Sequence, residues 1–306
     1  MTPLILEIKG NSLDDGPGIR SVVFFKGCPL RCAWCHNPES KKATVEISFE
    51  PDVCVGCDTC MESCTRNALS RDNPFFIDRK RCDLCFECVE NCPSGALEQV
   101  GHKMAVYEIV EKVIRDQPYF DASNGGVTFS GGEPTLNMAF LAEAAEALKE
   151  KGVHVLIETC GQFKFEAFSE LVYPHVDLIY FDIKIMDSRR HKKYCGLANE
   201  TILENFKKLY ARYRDGGVEV LPRIPLIPDI TDTRENLAAI VSLYREENVK
   251  QTQLLTYHPL WQAKNLKIGI ESLETGGSRM GAWMPAEKIR ACKDYFTDAG
   301  IIVNPP

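Results

Sequence analysis

Three cysteines, Cys28, Cys32 and Cys35, fall within eight residues of the run GCPLRCAWCHNPE, and no fourth follows them. Thiolate sites that only hold a fold together use four protein ligands. An iron–sulfur cube held by three thiolates instead keeps one iron exchangeable, and an open metal position is the mark of a catalytic centre. The C-x3-C-x2-C spacing suits one loop wrapping three corners of a cube, although by itself it leaves zinc or chance open.

Two further runs answer a different need. Residues 54–64, CVGCDTCMESC, follow C-x2-C-x2-C-x3-C, and residues 82–93, CDLCFECVENCP, repeat that spacing and add a proline. In this bacterial ferredoxin pattern three cysteines of each run hold one [4Fe–4S] cluster and the fourth ligates the other. One cluster takes Cys54, Cys57, Cys60 and Cys92; the second takes Cys82, Cys85, Cys88 and Cys64. Paired zinc knuckles are the competing reading, but zinc motifs join two cysteines to a distant second pair rather than crowding four into eleven residues twice. Thr65 stands where the pattern often has proline, a position that shapes a turn and gives nothing to iron.

The whole chain fits this chemistry. Its 306 residues suffice for one large domain or two unequal ones. The net charge of −7 is spread over interspersed acids and bases, which sets the sequence against nucleic-acid binding. No apolar stretch is long enough to span a bilayer. The start, MTPLILEIKGNSLDDG, lacks a basic segment and has an apolar run of only four residues, unlike a signal peptide. A cytoplasmic protein is expected, with no membrane partner. Of fourteen cysteines, eleven lie between Cys28 and Cys92, a crowding that disulfide staples do not explain. Cys160 reads as a small packed residue beside the site, and Cys195 and Cys292 as core or surface thiols.

The elements that must position these residues alternate. Strand-like runs at 21–26, 126–130, 153–159, 177–184, 218–224 and 253–258 are separated by helix-like segments near 104–116, 137–150, 165–172, 200–213, 233–247 and 285–298. Six strands in β/α alternation predict a parallel sheet or an incomplete barrel. In such folds ligands gather at the carboxyl ends of the strands. Those ends carry the three cysteines, Gly131-Gly132-Glu133-Pro134, Glu158-Thr159, Asp182 with Lys184, Arg223, and Tyr257-His258.

The segment DGPGIRSVVFFKGCPLRCAWCHNPES (15–40) resembles, nearly end to end, the activating enzymes of glycyl radical enzymes, a branch of the radical S-adenosylmethionine (SAM) superfamily. GGVTFSGGEP, IETCG, DLIYFDIK and LLTYHPL extend the match along most of the chain. The resemblance implies an α/β fold, a partial (β/α)6 barrel at 1–47 and 102–306 with a ferredoxin-like 2[4Fe–4S] insert at 48–101. It implies three [4Fe–4S] clusters, the open one chelated by the amino nitrogen and carboxylate of SAM. Reductive cleavage of SAM then gives a 5′-deoxyadenosyl radical that takes a hydrogen from a glycine of a partner enzyme. The resemblance places Gly131, Gly132 and Glu133 at the methionine amino group, and Glu158, Thr159, Asp182, Lys184, Arg223 and His258 around the cofactor. Asp15 and Lys184 are the catalytic candidates, Asp15 through contact with the partner's glycine loop. One family branch also binds a monovalent cation through its acidic members; this chain has Glu158 where that branch has Asp. His36 and Asn37 are expected to bond cluster sulfurs or shape their loop. Asp229 replaces a usual glycine in PRIPLIPD.

Two other functions are compatible with parts of the pattern: a radical SAM enzyme acting on a small molecule, and an iron–sulfur electron carrier with a vestigial pocket. The DGPGIR motif argues against the first and the intact GGEP, IET and FDIK strand ends against the second. The expected partners are a glycyl radical enzyme and a flavodoxin or ferredoxin as electron donor, with a chain that is monomeric when free and works in an anaerobic cytoplasm. Which glycyl radical enzyme is served is not written in this sequence.

Overall fold

The computed structural model describes residues 2–271 and 279–305. Its strands in chain order are β1 (Leu4–Ser12), β2 (Arg20–Lys26), β3 (Glu46–Phe49), β4 (Leu97–Val100), β5 (His102–Lys103), β6 (Gly126–Gly131), β7 (His154–Thr159), β8 (Leu178–Asp182), β9 (Glu219–Leu226), β10 (Gln251–Thr256) and β11 (Ile302–Asn304). Nine of them form one sheet in the order β11-β10-β9-β8-β7-β6-β2-β1-β5. Every neighbouring pair from β2 through β11 is parallel. The six strands read from the sequence are the six contiguous strands β2 and β6–β10. The antiparallel edge, β1 against β2 and β5, and the parallel edge strand β11 are additions. They were not legible because β5 and β11 have only two and three residues. In β1 the apolar start runs into the polar KGNS. The helix Ser188–Cys195 was missed for a similar reason: SRRHKKYC shows no apolar stripe.

Period-two alternation sorts the strand residues onto two faces. One face carries Val23, Phe25, Val127, Phe129, Val155, Ile157, Ile179, Phe181, Val220 and Ile224 into the main core. There they meet Ile109, Leu141, Leu148, Phe206, Ile240 and Phe296 from the helices. The other face holds only a small buried group, Leu156, Leu178, Tyr180 and Leu221. One step beyond these, toward the strand ends, the same face presents Glu158, Asp182 and Arg223. The fold thus spends one face on burial and leaves the other for polar chemistry.

Between β2 and β6 the chain makes a second, two-stranded sheet, β3 antiparallel to β4. This segment has its own small core of Ile47, Leu69, Phe76, Ile77, Cys88 and Leu97. The two cysteine runs fold alike: Asp58 and Phe86, each just after a second cysteine, adopt left-handed φ values of 60° and 65° and start short helices at Thr59–Ser63 and Glu87–Glu90. Three ties hold the segment against the large sheet and its helices. Lys26 pairs with Glu46 at 2.8 Å, Arg79 Nη2 donates to Lys267 O, and Lys267 pairs with Glu50. Among the described residues, no helix is long and apolar enough to cross a membrane.

Candidate active site

A cavity of about 350 Å³ opens at the carboxyl ends of the strands. Cys28, Cys32 and Cys35 all line it, together with Asp15, Gly131, Gly132, Glu158, Thr159, Asp182, Lys184 and Arg223. The cysteine loop is fixed from both sides by backbone hydrogen bonds. Gly27 N donates to Ser40 O at 2.6 Å and Cys28 N to Lys41 O at 3.1 Å; Arg31 N donates to Cys195 O at 2.8 Å and Ala33 N to Tyr194 O at 2.9 Å. Leu30 and Trp34, both buried, anchor the loop between these clamps.

The acidic and basic residues of the cavity neutralise one another. Arg223 bonds Glu158 Oε1 at 2.5 Å and Asp182 Oδ1 at 3.0 Å, and its guanidinium lies over the Tyr180 ring. β-Register makes this possible, because Asp182 and Arg223 are Cα partners across β8 and β9. Lys184 Nζ bonds Asp182 Oδ2 at 2.9 Å, and Ser130 Oγ donates to Glu158. Burial works against the Asp182 carboxylate, but Lys184 and Arg223 outweigh it and hold its pKa below the usual value. The same pairing raises Lys184 and Arg223 against the opposing effect of burial. All three therefore stay charged at neutral pH.

The DGPGIR loop forms the floor. Thr128 Oγ1 on β6 donates to Asp15 O at 2.7 Å and accepts from Arg20 Nε at 2.6 Å. Arg20, fully buried and without a carboxylate partner, also donates to Pro17 O and Val127 O. Burial brings its pKa down to about 10. Gly18 has φ +69°, and a Cβ there would meet Ser123 O at 2.5 Å, so the motif's glycine answers both a turn and a close approach. Asp229 takes the conformation its glycine counterpart would, with φ +63°.

Two expected ligands are not among the residues that line the cavity. Glu133 lies under the cavity, 1% exposed, rather than lining it. Its Oε1 accepts from Thr135 N, Thr135 Oγ1 and Thr159 Oγ1, and its Oε2 accepts from Cys160 N at 2.7 Å. Four donors, three on Oε1 and one on Oε2, hold the carboxylate in place. His258 stands behind His36, the rings stacked at 4.0 Å, with Trp283 on its other side. Among the described residues, His36 Nε2 and His258 Nδ1 are buried without a hydrogen-bond partner, polar capacity left for a ligand. Burial, with His258 and Lys264 adding, takes the His36 pKa down to about 4, so the ring is neutral. Asn37 Oδ1 accepts from Lys264 and shapes the loop.

Residues 22–241 match the model of the radical SAM superfamily. The chain is 39% identical over 269 residues to the isethionate sulfite-lyase activating enzyme of Nitratidesulfovibrio vulgaris, covering 86% of each chain. It is 35% identical over 305 residues to the 4-hydroxyphenylacetate decarboxylase activating enzyme of Clostridioides difficile, covering 97% of this chain and 94% of that one. The chain belongs to the radical SAM superfamily, among the activating enzymes of glycyl radical enzymes. A radical SAM methyltransferase from Sphaerobacter thermophilus shares the fold, with a TM-score of 0.53 at 13% identity over 99% of this chain and 77% of that one.

For a radical SAM activating enzyme the cysteine geometry is apt. Among the described residues, no three His, Cys, Asp or Glu side chains gather about a single-ion position. The thiols ring cavities instead. Cys54, Cys57, Cys60 and Cys92 line one, and Cys64, Cys82, Cys85 and Cys88 line another. Three thiols on one cavity and four on each of the other two are donor sets that fit iron–sulfur clusters. The sequence reading missed Arg20, Thr128 and Ser130 as parts of the site. Their signal was the strand alternation itself, which places Thr128 and Ser130 on the polar face.

Proposed function

We propose that this activating enzyme combines a radical SAM partial barrel, residues 1–47 and 102–306, with a ferredoxin-like insert at 48–101 that carries two [4Fe–4S] clusters. The lining of the two insert cavities supports the crossed ligand sets read from the sequence: Cys54, Cys57, Cys60 with Cys92, and Cys82, Cys85, Cys88 with Cys64. Cys28, Cys32 and Cys35 would hold a third cluster, which when bound would supply the electron for reductive cleavage of SAM and so the 5′-deoxyadenosyl radical that would take hydrogen from the α-carbon of a partner's glycine.

The chain's own residues bind and orient. The backbone at Gly131 and Gly132 receives the methionine amino group, with Glu133 bracing that turn onto Thr159 and Cys160. Lys184, aligned by Asp182, faces the negative charge of the thiolates and of the cofactor carboxylate. Arg223 fills the space between Glu158 and Asp182, and its guanidinium does the work of a monovalent cation there. His36 and His258 offer their free ring nitrogens to the nucleoside. Asp15, carried on the Arg20–Thr128 floor, meets the backbone of the partner's glycine loop. The insert's clusters would relay electrons from a flavodoxin or ferredoxin, with docking of the partner as the alternative role; the exposure of Cys57 and Cys85 supports the relay.

The observation that carries this reading is that three thiols and the paired charges of β7, β8 and β9 line one cavity. Anaerobic incubation with dithionite and SAM tests it. The expected products are 5′-deoxyadenosine and, with the partner enzyme present, a glycyl EPR doublet. No 5′-deoxyadenosine overturns the reading; 5′-deoxyadenosine without a doublet on any candidate partner points to a small-molecule substrate.

A further inference from the structure

Beyond the last register pair of β8 with β9, Asp182 with Arg223, the chain leaves the sheet. Ile183 N still donates to Arg223 O at 2.8 Å. Residues 184–186 then lie outside any strand, although Ile183 and Ile185 on either side of Lys184 are buried. Backbone N–H and C=O groups in such a place must find partners. Two side-chain amides supply them. Asn236 Nδ2 donates to Lys184 O at 2.9 Å, and its Oδ1 accepts from Met186 N at 2.8 Å. Asn199 Nδ2 donates to Ile185 O at 2.8 Å and to Met186 O at 2.9 Å. Asn236 Nδ2 also donates to Thr231 O at 2.9 Å, which ties the loop after β8 to the loop after β9.

Both asparagines stand where local structure alone would not put them. Asn236 is the third residue of the helix Arg234–Glu246 and is 4% exposed. Asparagine is a poor helix former, and an amide is costly to bury without partners. Asn199 is the N-cap of the helix Glu200–Arg214, where an asparagine side chain ordinarily accepts from the helix's first backbone N–H groups. It makes no such bond; its amide is spent on Ile185 and Met186 instead. What the two amides hold in place is the segment that carries Lys184. Alternation sends Ile183 and Ile185 into the main core and Asp182 and Lys184 to the cavity, where Lys184 Nζ meets Asp182 Oδ2 at 2.9 Å. A lysine ammonium rides on a flexible four-carbon stem, so its place depends on a fixed backbone as well as on its carboxylate partner.

We infer that Asn236 and Asn199 are positioning residues for Lys184, clamping 184–186 so that its ammonium stays at Asp182 and faces the cofactor. This rests on the reading of Lys184 as a cofactor residue. The competing account is that the two amides satisfy buried backbone and do nothing more. Asn205 offers the comparison. It is a third buried asparagine, 3% exposed, and donates to Gly161 O at 2.9 Å and Phe163 O at 2.8 Å in the loop after β7.

The test is a double-mutant cycle, read by calorimetric titration of SAM into the anaerobic, cluster-loaded, full-length protein, with denaturant midpoints measured alongside. Asn236→Ala and Asn199→Ala each raise the Kd for SAM about tenfold in the parent, but change it within about twofold in the Lys184→Ala background. Asn205→Ala, which loses a comparable pair of amide bonds, shifts the Kd by the same factor in both backgrounds. Equal losses of affinity in the two backgrounds for Asn236→Ala and Asn199→Ala overturn the inference and leave backbone satisfaction as their role. So does an unchanged affinity in both of these variants. Should Asn236→Ala fail to fold, Asn199→Ala carries the cycle alone, because it leaves the tie to Thr231 in place. Unchanged affinity in Lys184→Ala itself removes the cofactor reading of Lys184, and the inference with it.

Discussion

The open site and the insert use the same side chain to opposite ends. In the insert, eight cysteines line two cavities whose charged wall residues include the local pairs Asp58–Arg71 and Arg66–Asp83. At the open site three cysteines share one cavity with charged groups from the DGPGIR loop and from β7, β8 and β9. The insert draws its ligands from two short runs with matching left-handed turns at Asp58 and Phe86. The open site draws its charges from separate strands, aligned only when the sheet forms. In the proposed function one region stores charge in closed centres and the other brings charge, substrate and peptide together.

The strongest way to break the comparison is to remove one ligand from each region. Cys32→Ala is expected to abolish 5′-deoxyadenosine formation with any reductant while the insert keeps its iron. Replacing Cys54 and Cys82 together by Ala is expected to abolish turnover with a protein donor but leave it when dithionite reaches the open cluster directly. Activity measured with both reductants, alongside iron content, checks the pair. Equal losses in the two variants under dithionite would merge the regions into one functional unit.

Chelation separates them by stability. The insert core is half a dozen side chains, below what a segment of this length needs without a metal, whereas the main core spans both sheet and helices. Iron removal is expected to unfold 48–101 and leave the hydrogen bonds of the large sheet protected. Hydrogen exchange of the apoprotein reads this, and a protected β3–β4 pair would contradict it.

Arg223→Met strips a buried cation from Glu158 and Asp182. A loss of about 3–5 kcal/mol is expected, seen as a lower midpoint in denaturant unfolding. Part of that energy is tied to pH. The folded Asp182 pKa is depressed, so its contribution is present above the ordinary Asp value of about 3.9 and is lost as pH falls through the folded value. The stability gap between parent and Asp182→Asn should therefore close only in that acid range. A gap that stays open there would place the stabilisation elsewhere.

How far the sequence reached follows the same division. Ligand spacing is local, and the two tetracysteine runs and the three-cysteine loop could be read directly because neighbouring residues do the work. The six parallel strands were legible because each is a buried, β-rich run bounded by helical periodicity. Glu133 was not: only the fold shows its carboxylate consumed by Thr135, Thr159 and Cys160. Nor was the Arg20–Thr128–Asp15 floor, whose partners lie more than a hundred residues apart. Long-range polar pairs leave no periodic trace in a single chain.

The smallest of the expected effects lies in that floor. Gly18→Ala places a Cβ against Ser123 O at positive φ, a strain on the order of 1–3 kcal/mol. It should raise KM for the partner enzyme while leaving uncoupled SAM cleavage nearly unchanged. A fall in both would mean that the loop serves the cofactor as well as the peptide.

The central claim is that a substrate atom takes the place a fourth cysteine would fill. Electron–nuclear double resonance on the reduced protein with SAM labelled by nitrogen-15 at its amino group measures this directly. The account predicts a nitrogen coupling to the cluster in the parent and its loss in Cys32→Ala. A reduced, SAM-bound parent without that coupling would contradict it.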